Sequence, residues 1–151
     1  MYLIRQNEVV NEWVHAHAGG RAAHGTYQAF GWLTDGKLSG GVVFHTCNGW
    51  NCYANIAVTS PHALRPILRV GLPYAFAQLA LPRLTFAVSS ANLASITLVT
   101  GLGATREATL HGAGDSGEDM YIYCLRPETC PIWSRMWESR VAPRRGQITQ
   151  P

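Results

Sequence analysis

Asn92 to Glu107 reads Asn-Leu-Ala-Ser-Ile-Thr-Leu-Val-Thr-Gly-Leu-Gly-Ala-Thr-Arg-Glu. The run leading into it, Arg83 to Val88, is strand-like. Within the stretch, Leu93, Ile96 and Leu98 recur at roughly helical spacing. Gly101 and Gly103 suit the left-handed turn that ends a helix, and Thr105 to Leu110 reads as a second strand. A strand, a short helix and a second strand in this order are the unit around which the remaining chain is arranged.

Working outward toward the N-terminus, Thr59-Ser60-Pro61 breaks the chain, and a mostly apolar helix then runs to about Leu79, with Pro66 in its first turn and Pro73 expected to kink it. Before it lie three strands joined by Asp35-Gly36 and Asn48-Gly49, dipeptides that tolerate the positive backbone angles of a two-residue hairpin turn. If Asn48-Gly49 is such a turn, Cys47 faces Trp50, His45 faces Cys52 and Phe44 faces Tyr53. That register puts His45 on one face with Val43 and Cys52, and Tyr53 and Asn55 on the other. It also makes a Cys47–Cys52 disulfide unexpected. Further back, Val9, Val10, Trp13, Val14 and Ala18 mark a helix capped by Asn7 and ended by Gly19-Gly20, and Tyr2 to Arg5 is a short edge strand. Toward the C-terminus, a Gly/Asp loop (Gly112 to Asp119) precedes a strand from Met120 to Leu125.

The chain has 151 residues, 47% of them hydrophobic and 14% charged, which predicts one packed domain rather than disorder. We assign residues 1–134 to that domain and 135–151 to a basic, mobile tail. From Arg135 onward four arginines oppose only Glu138, which accounts for the net charge of +3. The body is neutral by count, so a nucleic-acid-binding face is not expected there; the tail alone could meet an acidic partner. No apolar run is long enough to span a membrane, and the N-terminus lacks a signal-peptide pattern. The expectation is a cytoplasmic protein with reduced cysteines. No metal site is expected: Cys47, Cys52, Cys124 and Cys130 form no Cys-x-x-Cys pair, and His15 and His17 fall on different sides of a helix.

Strand, Asn-x-x-Ser helix, Leu-Gly and then Arg-Glu resembles the C-terminal half of the GNAT N-acyltransferase superfamily. Asn92, Ser95, Leu98, Leu102, Gly103 and Glu107 match its pattern, while Ala104 and Ala108 depart from Phe and Gly. The likeness extends over Tyr27 to Trp133 and is strongest to small phage-encoded members. Those share Gly41 to His45 before an Asn-Gly turn, Tyr74, Phe76, Gln78 and Leu79 at a helix end, and Gly117, Glu118, Asp119 and Tyr123 at a strand entry. The resemblance implies an α/β (α+β) fold: a mixed, mostly antiparallel twisted sheet of six to seven strands with helices on both faces. Its central parallel pair would separate just past Val58.

It also implies acetyl-coenzyme A (acetyl-CoA) as cosubstrate and a primary amine as acceptor. The backbone of Ile56, Ala57 and Val58 would bond the pantetheine arm. Ser60, His62, Ala63 and Leu64 would receive the pyrophosphate, with Arg65 and Arg69 adding charge, and Asn92 and Ser95 would flank the cofactor. The family's glycine-rich phosphate loop is missing from Thr59 to Pro66, and Val99 stands where many members carry an acidic Tyr. Candidate bases are His45, His24 and Asp119, with Tyr53 and Tyr121 as acids or positioning groups. Two rival readings follow: a non-catalytic binding module on the same fold, or a phage acyltransferase that modifies DNA bases. Sheet edges leave a homodimer open.

Overall fold

The computed structural model describes residues 1–141. In chain order it runs β1 (Tyr2–Leu3), α1 (Asn7–Ala18), β2 (Tyr27–Thr34), β3 (Lys37–His45), β4 (Asn51–Val58), α2 (Pro61–Pro73), β5 (Arg83–Ser89), α3 (Leu93–Gly101), β6 (Thr105–Leu110), β7 (Met120–Leu125) and α4 (Pro131–Val141). The strands form one seven-stranded sheet in the order β1-β2-β3-β4-β5-β7-β6. Every pairing is antiparallel except β4 with β5. The expected sheet, with its parallel pair at the centre, is the one found.

Helices cover both faces. Val10 and Val14 of α1 pack on Ala29, Val43 and Ala57, whereas α2, α3 and α4 bury Ile67, Leu72, Val99 and Trp133 against Val42, Phe44, Leu84 and Phe86. The two layers come closest at Gly40 and Gly41. A Cβ on Gly41 would lie 2.6 Å from Val14 Cγ2, and one on Gly40 would lie 2.9 Å from the Ala63 Cβ. Successive residues of a strand face opposite sides, so α1 and α2 press on the same point of β3 from above and below. Pro73 removes a backbone donor. There α2 gives way to a wider turn over Tyr74–Gln78, where the Leu79 amide reaches back to the Tyr74 carbonyl at 2.9 Å. Pro66 sits deeper than a first turn, since α2 begins at Pro61.

The β3–β4 hairpin differs from the expected register by one residue. His45 pairs with Tyr53 and Phe44 with Ala54. The Asp35-Gly36 turn is the tight one, both residues having positive φ (49° and 75°). At the other hairpin the positive angles fall on Thr46 and Gly49 instead. The Asn48 side chain accepts from the amides of Trp50 (3.0 Å) and Asn51 (2.9 Å), which favours a wider loop over a two-residue turn. A slip of one residue exchanges the faces of a strand. His45 therefore shares its face with Tyr53 and Asn55, while Cys52 turns into the core with Phe44. The wider loop also brings Cys47 and Cys52 together, with Cα atoms 4.2 Å apart, in a disulfide that the expected register disfavours. Cys124 and Cys130 are free and buried.

The parallel pair is joined only at its start: Asn51↔Arg83, Cys52↔Leu84 and Tyr53↔Thr85. β4 then stays with β3 as far as Val58, and β5 stays with β7 as far as Ser89. The strands part after Tyr53, earlier than the expected point beyond Val58. Each half of the sheet keeps its own twist, and no ladder ties them together past that residue. A polar cluster fastens the root. Thr85 Oγ1 and Arg83 Nε both donate to Asn51 Oδ1, at 2.7 and 3.2 Å. Arg83 also grips both carboxylate oxygens of Glu107, at 3.0 and 2.7 Å. Glu107 sits at a bulge in β6 between Arg106 and Ala108, which re-aims its side chain.

The Arg83 hydrogen bond holds the Glu107 carboxyl below its usual range. A depressed carboxylate adds stability that is present above the unfolded pKa and is lost as pH falls through the folded one. We expect Glu107→Gln to lower Tm near neutral pH and the difference from wild type to vanish in acid. Thermal melts across pH 3 to 7 measure it. The pair is half-exposed, so its contribution is about 1 kcal/mol or less.

Helix α4 runs through Arg135 and Arg140, so the stretch expected to be tail begins as helix. Residues 142–151 of that tail lie outside the described residues. Among the described residues no helix is long and apolar enough to cross a membrane.

Candidate active site

Where β4 and β5 separate, a cleft of about 660 Å³ opens between them. One wall is Ala54, Asn55 and Ile56 of β4, and the other is Phe86 to Ser89 of β5. The C-terminal end of α1 and the following Gly19 to Arg21 close one side, and the start of α3 and the 113–118 loop close the other. The β4 edge facing this space has no strand partner from Ala54 onward, so its backbone groups there are open to a ligand.

Near the root, His45 and Tyr53 face the cleft with ring centroids 5.7 Å apart. Both nitrogens of His45 are committed. Asn55 Nδ2 lies 3.0 Å from Nε2, and Thr46 Oγ1 lies 2.9 Å from Nδ1. An amide NH2 can only donate, so Nε2 is the acceptor and Nδ1–H donates to Thr46, an assignment made from the network. Burial lowers the His45 pKa, and the neighbouring His15 lowers it further.

His15 has the opposite situation. It is 9% exposed, it lines the cleft from the last turn of α1, and neither ring nitrogen has a hydrogen-bond partner. Burial lowers its pKa, opposed by the adjacent Gly19 backbone, which closes no hydrogen bond to the ring. Leaving a buried polar group unmatched costs about 1–3 kcal/mol. That position is supported by its neighbours: Val14 is packed on the sheet, and Asn11, one turn earlier on the same stripe, is buried and bonded to Ala23 through its Nδ2 (2.9 Å) and Oδ1 (3.0 Å).

Across the cleft, Glu118 accepts from Ser89 Oγ and from the Ser116 amide, each at 2.9 Å. Its own backbone N–H, then Ser89, hold the carboxyl below its usual range. Gly114 leaves the space this carboxylate occupies. Asn92 caps α3 by accepting from the Ser95 amide (3.1 Å), and its Nδ2 donates to the Ala18 carbonyl (3.3 Å), so one side chain ties α3 to the end of α1.

Of the residues expected at the site, His45, Tyr53, Ile56, Asn92 and Ser95 line the cleft. His24 is exposed in the loop after α1 and does not. Asp119 bonds the Gly112 amide (2.9 Å) and His111 (3.3 Å), fastening its own loop. Tyr121 lies under the Arg106 guanidinium, 4.3 Å from its carbon. Ala57 is buried against α1 and Ala63 against Gly40; Val58 and Leu64 are half-buried, and Arg65 and Arg69 are exposed.

Ser60 caps α2: its Oγ takes the His62 amide (3.3 Å), and its carbonyl takes that of Ala63 (3.0 Å). Pro61 has no amide to offer. The first three positions of α2 therefore present no unbonded donor to a phosphate. His15, Asn55 and Glu118 are among the cleft residues that the sequence does not single out as candidates. A visible signal existed for the first, because Asn11 and His15 are polar residues four apart within the buried stripe of α1. Among the described residues no group of three or more His, Cys, Asp or Glu could hold a metal ion.

No family model matches the sequence, and no curated protein does. Solved structures do match. Mycobacterium smegmatis RimJ in complex with CoA-disulfide is 20% identical with a TM-score of 0.61, over 78% of this chain and 62% of that one. A GNAT-family acetyltransferase from Bacillus anthracis is 19% identical with a TM-score of 0.56, over 66% of each chain. A point mutant of the spermidine N-acetyltransferase SpeG from Vibrio cholerae is 19% identical with a TM-score of 0.57, over 79% of this chain and 72% of that one. This chain thus spans about two-thirds of the length of each. Its fold is that of the GNAT acetyltransferases.

Proposed function

We propose that the protein is an acetyl-CoA-dependent N-acetyltransferase that passes an acetyl group to a primary amine by direct attack on the thioester. The observation that carries this reading is the cleft between two parallel strands that part after Tyr53, with one strand edge left open. The pantetheine arm, which is peptide-like, would bond that edge at Ile56 to Val58, as a further strand would. Asn92 and Ser95 would flank it, and backbone amides of β4 would receive the developing oxyanion. His45 and Tyr53, fixed by their neighbours at the root, would orient the acceptor. The likeness to phage-encoded members rests on the sequence motifs alone, and the acceptor is a primary amine of open identity.

The occupied first turn of α2 favours a second reading, a binding module whose ligand carries no pyrophosphate. In the transferase reading, Arg65 and Arg69 supply most of the attraction for that group. Calorimetric titration with acetyl-CoA and with acetyl-pantetheine separates the two. Saturable binding of acetyl-CoA, weakened by salt, is the expected result. Equal affinity for both compounds would favour the module, and no heat up to millimolar acetyl-CoA would end the transferase reading.

A further inference from the structure

Acetyl transfer needs the acceptor ammonium to lose a proton before its nitrogen can attack, and the group that takes the proton must have a lone pair to offer. The cleft contains two imidazoles. The lone pair on His45 Nε2 is already held by the Asn55 amide, and its other nitrogen is turned to Thr46. His15 stands on the same cleft, nine-tenths buried, with both nitrogens unmatched.

We propose that His15 is the proton acceptor of the reaction, and that His45 serves to orient. This inference rests on the transferase reading above. The imidazole of His15 takes a proton from the ammonium, directly or through one water. The amine nitrogen then bonds to the thioester carbonyl carbon, and in the tetrahedral adduct it gives up its second proton to solvent. The C–S bond breaks, and coenzyme A leaves as the thiolate, which is protonated by the imidazolium or by solvent. The products are the acetamide, the free thiol and one proton.

The other titratable or charged groups on the cleft walls are His45 on β3, Tyr53 on β4, Arg21 after α1, and Asp115 and Glu118 in the opposite loop. Burial favours the neutral imidazole, so His15 is ready to accept a proton at neutral pH, and its titration falls below the ordinary 6.5. A base works only when neutral. The rate should therefore fall only as pH drops through this lowered titration, below 6.5, and be flat above it.

The test measures thiol release from acetyl-CoA, with water, spermidine and a lysine-containing peptide as acceptors, against pH. His15→Gln should lower kcat by about 100-fold or more, leave KM for acetyl-CoA in place, and remove the acidic limb. His45→Gln should keep that limb. Hydroxylamine, neutral at the assay pH, should restore much of the His15→Gln rate after its enzyme-free reaction with acetyl-CoA is subtracted. A limb that survives in His15→Gln, or a loss that hydroxylamine does not relieve, overturns the assignment and leaves the transferase reading standing. Should His15→Gln not fold, imidazole NMR of the wild type decides: a His15 titration that does not coincide with the kinetic limb overturns it. If acetyl-CoA fails to bind, or binds without any thiol release, the transferase reading falls and the His15 assignment falls with it.

Discussion

Replacing Gly103 with alanine is expected to destabilise the fold by about 3–5 kcal/mol, lowering Tm by roughly 10 °C in a domain of this size. Gly103 has φ of 99°, a region where a side chain is strained. It ends α3 in a paired arrangement: its amide reaches the Thr100 carbonyl (3.0 Å), and the Ala104 amide reaches Val99 (3.1 Å). An added Cβ would also land on the Thr129 carbonyl oxygen, with Pro131 at 3.3 Å. That oxygen belongs to backbone and cannot swing away. Relief would require moving the segment that leads into α4, whose buried Trp133 packs on Phe76 with centroids 5.6 Å apart. A scanning calorimeter or a circular dichroism melt measures the shift. A change of only a degree or two would mean that α3 and α4 do not meet as described.

The second large effect concerns the cleft. Ala87 lies on β5 at the wall that faces β4, and its side chain is exposed. We expect Ala87→Trp to leave the melting temperature close to that of wild type and to weaken acetyl-CoA binding by about 100-fold, close to 3 kcal/mol. The indole would fill the gap between the strands where the pantetheine arm is proposed to lie. Calorimetric titration of both proteins is the measurement. Undiminished affinity would place the cofactor elsewhere and remove the main support for the proposed function.

The order of elements could be read from the residues because the signals were local. The strand before it and the glycines after it marked α3, although Leu93 of its apolar stripe is exposed and Val99 is its buried residue; Asp35-Gly36 marked a turn in which both residues do take positive φ. The Asn48-Gly49 dipeptide misled, since its outcome depended on what the Asn48 side chain bonded, and that side chain chose two backbone amides. One residue of register moved His45 to the face of Asn55 and Cys52 away from it. Nothing in the hairpin sequence distinguishes the two registers; burial of Cys52 with Phe44 does.

The apolar spacing of α1 holds for Val10 and Val14, which are buried, but not for Val9, which is exposed; the polar Asn11 and His15 share the buried side. Asn7, expected to cap α1, instead accepts from the Ala29 amide (3.3 Å) and the Gln28 side chain (3.1 Å), binding the helix to β2. Tertiary partners outweighed local capping. The early parting of β4 and β5 was hidden for the same reason, because it depends on how far each strand follows its other neighbour.

The bare pair at Gly40 and Gly41 has a bearing on how the molecule can vary. Only one strand's thickness separates the helix that starts beside Ser60 from the helix that holds His15. A methyl group at either spot would lift a whole rod off the sheet and carry one jaw of the opening with it. Drift in the sequence can repaint the outer surfaces of both rods, yet this junction is closed to it, and the gauge of the opening is set by atoms that are not there.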